Sequence, residues 1–359
     1  MIGTCIGAGL LGIPYVAAKA GFFVALIYII LIGLMMLITN LYLGEVSLRT
    51  DGNHQLQGYA RKYLGKKRSY LMGFATIFGI YSAIVAYLLG IGESLSFLIF
   101  GNLGHHILFG VLFGFLMAGL LWKGMVSVKK FEKWGVAVIL FLIFFIFLIF
   151  FKNLNFNNFL TFNSASIFLP FGVVLFAMMS FHAIPEIEIV LRQNEKLMKK
   201  VLIFGTLIPV LFYILFVFVV VGLKGSETPQ LATLALGKIF VLLGIFTMFT
   251  SYLSLGNALQ ENFMFDDKMK KFKAWFFASL IPIGIYLITR FFNIFSFTKI
   301  LSIGGVVSGG ITGALILFMV KQAKKKGTRK PEYSMPINWF IIGLFSLIFL
   351  LGVVYELFF

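Results

Sequence analysis

Two short stretches carry residues that could do chemistry within an otherwise apolar chain. The first is Gly7-Ala8-Gly9-Leu10-Leu11-Gly12-Ile13-Pro14, and the second is Phe176-Ala177-Met178-Met179-Ser180-Phe181-His182-Ala183-Ile184-Pro185. Each sets small or polar residues in an apolar run and follows them with a proline. Glycine costs about 1 kcal/mol and proline about 3 in a helix interior, so a helix broken there loses less than one forced to continue. In lipid, a break leaves N–H and C=O groups that only a ligand, an ion or cavity water can pair. The amides around Gly7, Ala8 and Gly9 would begin an outer half-helix, whose positive dipole end suits a carboxylate. Glycine there also lets a ligand approach the backbone closely. The carbonyls near Phe176, Ala177 and Ser180 would end an inner half-helix and suit an ammonium group. A carboxylate site facing an ammonium site describes an amino acid zwitterion, without naming its side chain.

Other side chains join these stretches as candidates. Tyr87 either donates its hydroxyl to the carboxylate or packs with that hydroxyl on a neighbouring backbone. His182 lies inside the second break, where it touches substrate, carries a proton or serves as a satisfied structural histidine. Thr250 and Ser251 set adjacent hydroxyls on one helix, to hold a cation or to bond back to the preceding turn. Ionisable groups at membrane depth are costly and count as functional by default, which draws in Glu45 and Glu186. Glu93 falls near an outer mouth and is assigned a solvated role. His105 and His106 have no third ligand nearby in sequence, and Cys5 is the only cysteine, so neither a transition-metal site nor a disulfide framework is expected. Nucleophile-elbow, phosphate-loop and dinucleotide patterns are absent from contexts that would give them meaning, which argues against an enzyme and against a bound cofactor.

The elements that must position these residues are membrane helices. Of 359 residues, 60% are hydrophobic and 12% charged, and the mean hydropathy is +1.01, a balance that water-soluble domains of this length do not show. Apolar segments fall at roughly 1–18, 22–46, 69–100, 105–122, 134–151, 166–190, 200–223, 237–260, 274–290, 298–320 and 337–358, each near the roughly 18 residues that span hydrocarbon. They are continuous runs and not alternating strands, so a barrel is excluded and an all-α polytopic membrane protein is predicted. The N-terminus lacks the basic region of a cleavable signal peptide.

Charge supplies sidedness. The loops after segments 2, 4, 6, 8 and 10 hold six, four, four, four and six of the 30 Lys and Arg residues. By the positive-inside rule the N-terminus is expected in the cytoplasm and the C-terminus outside, in a plasma or inner membrane. The net charge of +17 therefore marks topology and membrane contact, and no nucleic-acid partner is expected. The broken segments are five spans apart, and an odd offset runs the second group of five through the membrane in the opposite sense. A Gly/Pro-interrupted span at matching places in two inverted halves points to a transporter's binding site.

These residues resemble a known superfamily. Met1 through Pro14 is similar to the opening helix of the amino acid/polyamine/organocation superfamily, especially its amino acid/auxin permeases and its hydroxy and aromatic amino acid permeases. Ala86-Tyr87, the stretch from Phe176 to Glu186, and Phe249-Thr250-Ser251-Tyr252-Leu253 extend the resemblance over essentially the whole chain. It implies a LeuT-type five-plus-five inverted repeat in one transmembrane domain, with halves at about 1–151 and 166–320 and an extra helix at 337–358. It also implies cation-coupled amino acid symport by alternating access. A membrane sensor that binds an amino acid without moving it is the alternative.

The resemblance carries a sodium site onto Gly3, Ile6, Thr247, Thr250 and Ser251. Glu45 resembles a family glutamate that accepts hydrogen bonds from the broken backbone of segments 1 and 6, and Glu186 either does similar work or faces the inner vestibule. Some relatives replace the sodium with a lysine on the fifth helix, but 134–151 contains none, and the coupling ion stays open between sodium and a proton. About six residues precede Gly7, roughly 9 Å of helix, where the family's first half-helix is longer. Either the chain starts upstream or its inner gate is incomplete.

Overall fold

The computed structural model describes residues 1–52, 54–123, 128–265 and 268–358. The helices are α1 Ile2–Cys5, α2 Ala8–Ala20, α3 Phe22–Leu48, α4 Leu56–Leu64, α5 Lys66–Phe100, α6 His106–Lys123, α7 Val128–Phe150, α8 Leu169–Met178, α9 Ala183–Val190, α10 Met198–Lys224, α11 Lys238–Phe265, α12 Lys271–Phe291, α13 Phe297–Gly304, α14 Gly310–Lys326 and α15 Trp339–Phe358. Among the described residues, ten stretches are long and apolar enough to cross a membrane. The first expected segment is split between α1 and the 13-residue α2, and the break is what leaves it short of that length. This is an all-α polytopic integral membrane protein.

Lateral pairs show the alternation of faces. On one face Glu45 at the end of α3 meets Lys324 at the end of α14. On the same face Arg329, beyond α14, bridges Glu195 before α10 and Glu332. On the other, the Asn155 amide donates to Gly222 at the end of α10 (2.9 Å) and the Asn163 amide to Ala20 at the end of α2 (3.2 Å). The basic loops after segments 2, 6 and 10 thus meet on one face.

Two elements were not foreseen. The loop after α3 contains α4, whose Leu56, Tyr59, Ala60 and Tyr63 are buried at helical spacing, while Arg61 and Lys62 sit on its outer side, the pattern of a helix lying on a surface. The tenth span is interrupted by a π-helical turn at Gly305–Gly309, a local widening common at functional sites.

Candidate functional site

The first break falls at Ile6 and Gly7. Ile6 leaves helical geometry at ψ 80°, and Gly7 caps α2 without any side-chain bond. The Gly7 amide donates back to Cys5 (2.9 Å), so the donors open at this end are the first amides of α2, from Ala8 and Gly9 onward. Gly7 faces two hydroxyls: a β-carbon there would stand 3.0 Å from the Tyr87 Oη and 3.2 Å from the Ser251 Oγ. Both side chains also line one small chamber. Tyr87 from α5 and Ser251 from α11 therefore meet the amide end of α2, the grouping the carboxylate reading requires.

Gly9 does other work. Its missing β-carbon would lie 2.5 Å from the Ala177 Cα and 3.1 Å from the Ala177 nitrogen, so this glycine lets α2 and α8 cross at backbone distance instead of baring its α-carbon to a ligand.

The second break runs through Met179 and Ser180 to the turn at Phe181 and His182. The expected acceptors are all engaged. The Phe176 carbonyl takes the Met179 amide (3.2 Å) and the Ser180 carbonyl takes the Ala183 amide (3.0 Å). The Ala177 carbonyl takes the Tyr213 hydroxyl (2.9 Å). An ammonium group must therefore use second lone pairs here, a correction to the picture of bare carbonyls. The same Tyr213 hydroxyl also reaches the Cys5 carbonyl, so one residue of α10 bridges the last turns of α1 and α8. The α8 helix starts on the face opposite the basic loops and is the outer half-helix of its span, not the inner one expected. Asn40 of α3, fully buried, donates to the Ser180 Oγ (3.1 Å) and the Thr206 Oγ1 (3.2 Å). Sequence inspection missed Tyr213 and Asn40. The available signal was an amide and a hydroxyl set within apolar spans.

Beside the first break is a small chamber of about 20 Å³ lined by Gly3, Ile6, Tyr87, Thr250 and Ser251, room for about one water or a bare cation. Four of the five expected ion ligands share it. Thr247 does not line it, and its carbonyl instead accepts the Thr250 hydroxyl (3.0 Å), which also reaches the Phe246 carbonyl (3.1 Å). Thr250 keeps its oxygen lone pairs after donating that proton.

A vestibule of about 760 Å³, lined by Ile2, His182, Glu186, Lys200 and Ser254 among others, opens beside both breaks toward the face of the basic loops. Glu186 faces it. His182 lines it as well, at the start of α9 and outside the Gly7 grouping.

Glu45 departs from expectation. Its carboxylate takes Arg49 Nε (2.9 Å), Lys324 Nζ (2.7 Å), Ser334 Oγ (2.9 Å) and the Met335 amide (2.8 Å). It pins the segment after α14 to α3, and none of these four donors belongs to the broken backbone. Glu93 is paired with Arg290 in a mostly buried ion pair and is not solvated. His105 stacks on Phe100 with ring centres 4.3 Å apart. Among the described residues no cluster of His, Cys, Asp and Glu could hold a metal.

The tryptophan/tyrosine permease family matches residues 1–358. The chain belongs to that family. A low affinity tryptophan permease of Escherichia coli K12 is 26% identical over 233 residues, covering 61% of this chain and 56% of that protein. A tyrosine permease of Enterobacter agglomerans is 29% identical over 133 residues, 36% of this chain and 32% of that one. The tyrosine-specific transport system 1 of Haemophilus influenzae is 27% identical over 226 residues, 59% of this chain and 54% of its own length. The matched chain spans little more than half of the tryptophan permease.

Proposed function

We propose that this protein is a secondary active transporter that carries an aromatic amino acid across the membrane together with a cation, sodium or a proton, by alternating access. The observation that carries the reading is the convergence of the uncapped α2 amides with Tyr87 and Ser251 at Gly7. Hydroxyl and amide donors meeting at a helix start in a buried site favour a carboxylate. The tryptophan and tyrosine named for its relatives supply the class of side chain. The second break provides carbonyl oxygens for the ammonium group through their remaining lone pairs. The chamber at Gly3, Ile6, Thr250 and Ser251 offers hydroxyl and backbone oxygens, a donor set suited to sodium. In this reading segments one to five and six to ten are inverted halves, the N-terminus is cytoplasmic, and the vestibule is the inward opening. Chemistry on the substrate plays no part, and the coupling ion is the only cofactor.

The test is uptake of labelled tryptophan, tyrosine and phenylalanine into proteoliposomes, with sodium and proton gradients imposed separately. The expected result is gradient-driven accumulation. Thr250→Ala/Ser251→Ala is expected to remove any sodium-driven part. Binding without accumulation under either gradient would overturn transport and leave a sensor in the same pocket.

A further inference from the structure

Three buried polar atoms without partners converge on one cavity. It lies between α5, α9 and α11, encloses about 80 Å³, and is lined by Gln55, Thr76, His182, Glu186, Glu261 and Asn262 among others. The His182 Nε2, the Thr76 Oγ1 and the Asn262 Oδ1 are each shut off from solvent and meet no hydrogen-bonding group of the protein. An unmet buried polar atom costs about 1–3 kcal/mol, so three in one chamber require water there. A water needs about 10–15 Å³ of such space, and several are accommodated. Among the described residues no three acidic, histidine or cysteine groups come together to hold a metal, so water, and not a shared ion, joins the imidazole to the carboxylates.

The surrounding charges are few. Glu186 on α9 and Glu261 on α11 line the cavity, and Lys200 on α10 lies across the adjoining vestibule. The elements α5 and α4 present only Thr76, Gln55 and Gln57. Glu45 of α3, which packs on α9, is consumed by Arg49 and Lys324. Glu188, on α9 itself, lies in the field of Arg192 and Arg329. His182 and Glu186 line both the cavity and the vestibule, so the two spaces adjoin beside the second break.

We propose that this chamber is a proton relay, with His182 as the carrier beside the break and Glu261 and Glu186 as its exchange groups toward the loop face. The inference rests on the transport reading and specifies its coupling. In the release direction the Nε2–H bond of the imidazolium breaks, the proton crosses on chamber water, and an O–H bond forms on the Glu261 carboxylate. Imidazolium becomes neutral imidazole as carboxylate becomes carboxyl; the reverse step reloads the carrier. His182 is two residues from Ser180, so its charge acts on the carbonyl end of α8.

The experiment uses proteoliposomes with a pH-sensitive dye inside, and labelled tryptophan or tyrosine as the probe. Wild type is expected to move protons with substrate and to accumulate it under a pH gradient. Glu261→Gln, remote from the Gly7 grouping, is expected to lower pH-driven accumulation at least tenfold while gradient-free exchange of labelled for unlabelled substrate is unchanged. His182→Gln is expected to bring protons moved per substrate to background. Should His182→Gln fail to fold, Glu261→Gln still decides. Wild-type accumulation under both variants overturns the relay, as does sodium-driven uptake by wild type without proton movement. Absence of exchange by wild type overturns the transport reading itself, a distinct result.

Discussion

The first break is two residues long and leaves the amide end of α2 open, whereas the second is four residues long and has its carbonyl end tied off. Both interrupt an apolar helix. At the first, the partners are hydroxyls from α5 and α11 that stand near the open donors. At the second, Tyr213 and Asn40 from α10 and α3 are already bonded to the broken strand. A donor end is thereby left uncapped, while an acceptor end is braced by the protein. In the proposed function the carboxylate half of the site is preformed, and the ammonium half shares its oxygens.

The comparison can be broken by substitution. The largest effect is expected for Gly9→Val, which drives a side chain onto the Ala177 backbone at 2.5 Å. Overpacking of that kind costs about 1–3 kcal/mol, here near the top because backbone cannot yield. A lowered melting temperature in detergent and lost transport would show it, and an unchanged melting temperature would deny that the two broken segments lean on each other at this point.

Next comes Tyr213→Phe. It strips the shared donor from the Cys5 and Ala177 carbonyls, and a buried acceptor left unmet costs about 1–3 kcal/mol. Thermal unfolding should register the loss even without substrate, because the brace is independent of ligand. Asn40→Ala is expected to cost somewhat less, about 1 kcal/mol for neutral hydrogen bonds, and to be read in the same assay.

Gly7→Ala has the smallest expected effect on stability, within about 0.5 kcal/mol. Its β-carbon meets the ends of two movable side chains, Tyr87 and Ser251. Substrate affinity should nonetheless fall about tenfold, the equivalent of about 1.4 kcal/mol, as the hydroxyls are pushed from the open amides. Gly7→Ala binding substrate like wild type would remove the carboxylate from this end.

Much of this was legible from residue order. The spans follow from apolar length, because lipid tolerates only internally bonded helices. The breaks at Gly7 and at Ser180 follow from the local cost of glycine and proline. The loop helix α4 was legible too, through Leu56, Tyr59, Ala60 and Tyr63, but nine residues of weak pattern are easily passed over as a connector.

Partners across the fold were another matter. Tyr213 is 208 positions from Cys5, and Asn40 is 140 from Ser180. Glu45 lies at the expected depth, yet its acceptors were taken by groups around residue 335, 290 positions along. In a helix apolar on every side, no periodicity tells which way a lone polar residue points, so rotation and pairing stay undetermined. The sequence by itself determined that the chain lies in a membrane, where it breaks and which loops share a face, since each depends on local hydrophobicity, backbone cost or charge. Tertiary packing alone decided which broken ends are braced and which stay open, because a hydrogen bond forms only between groups that the assembled helices bring within about 3 Å.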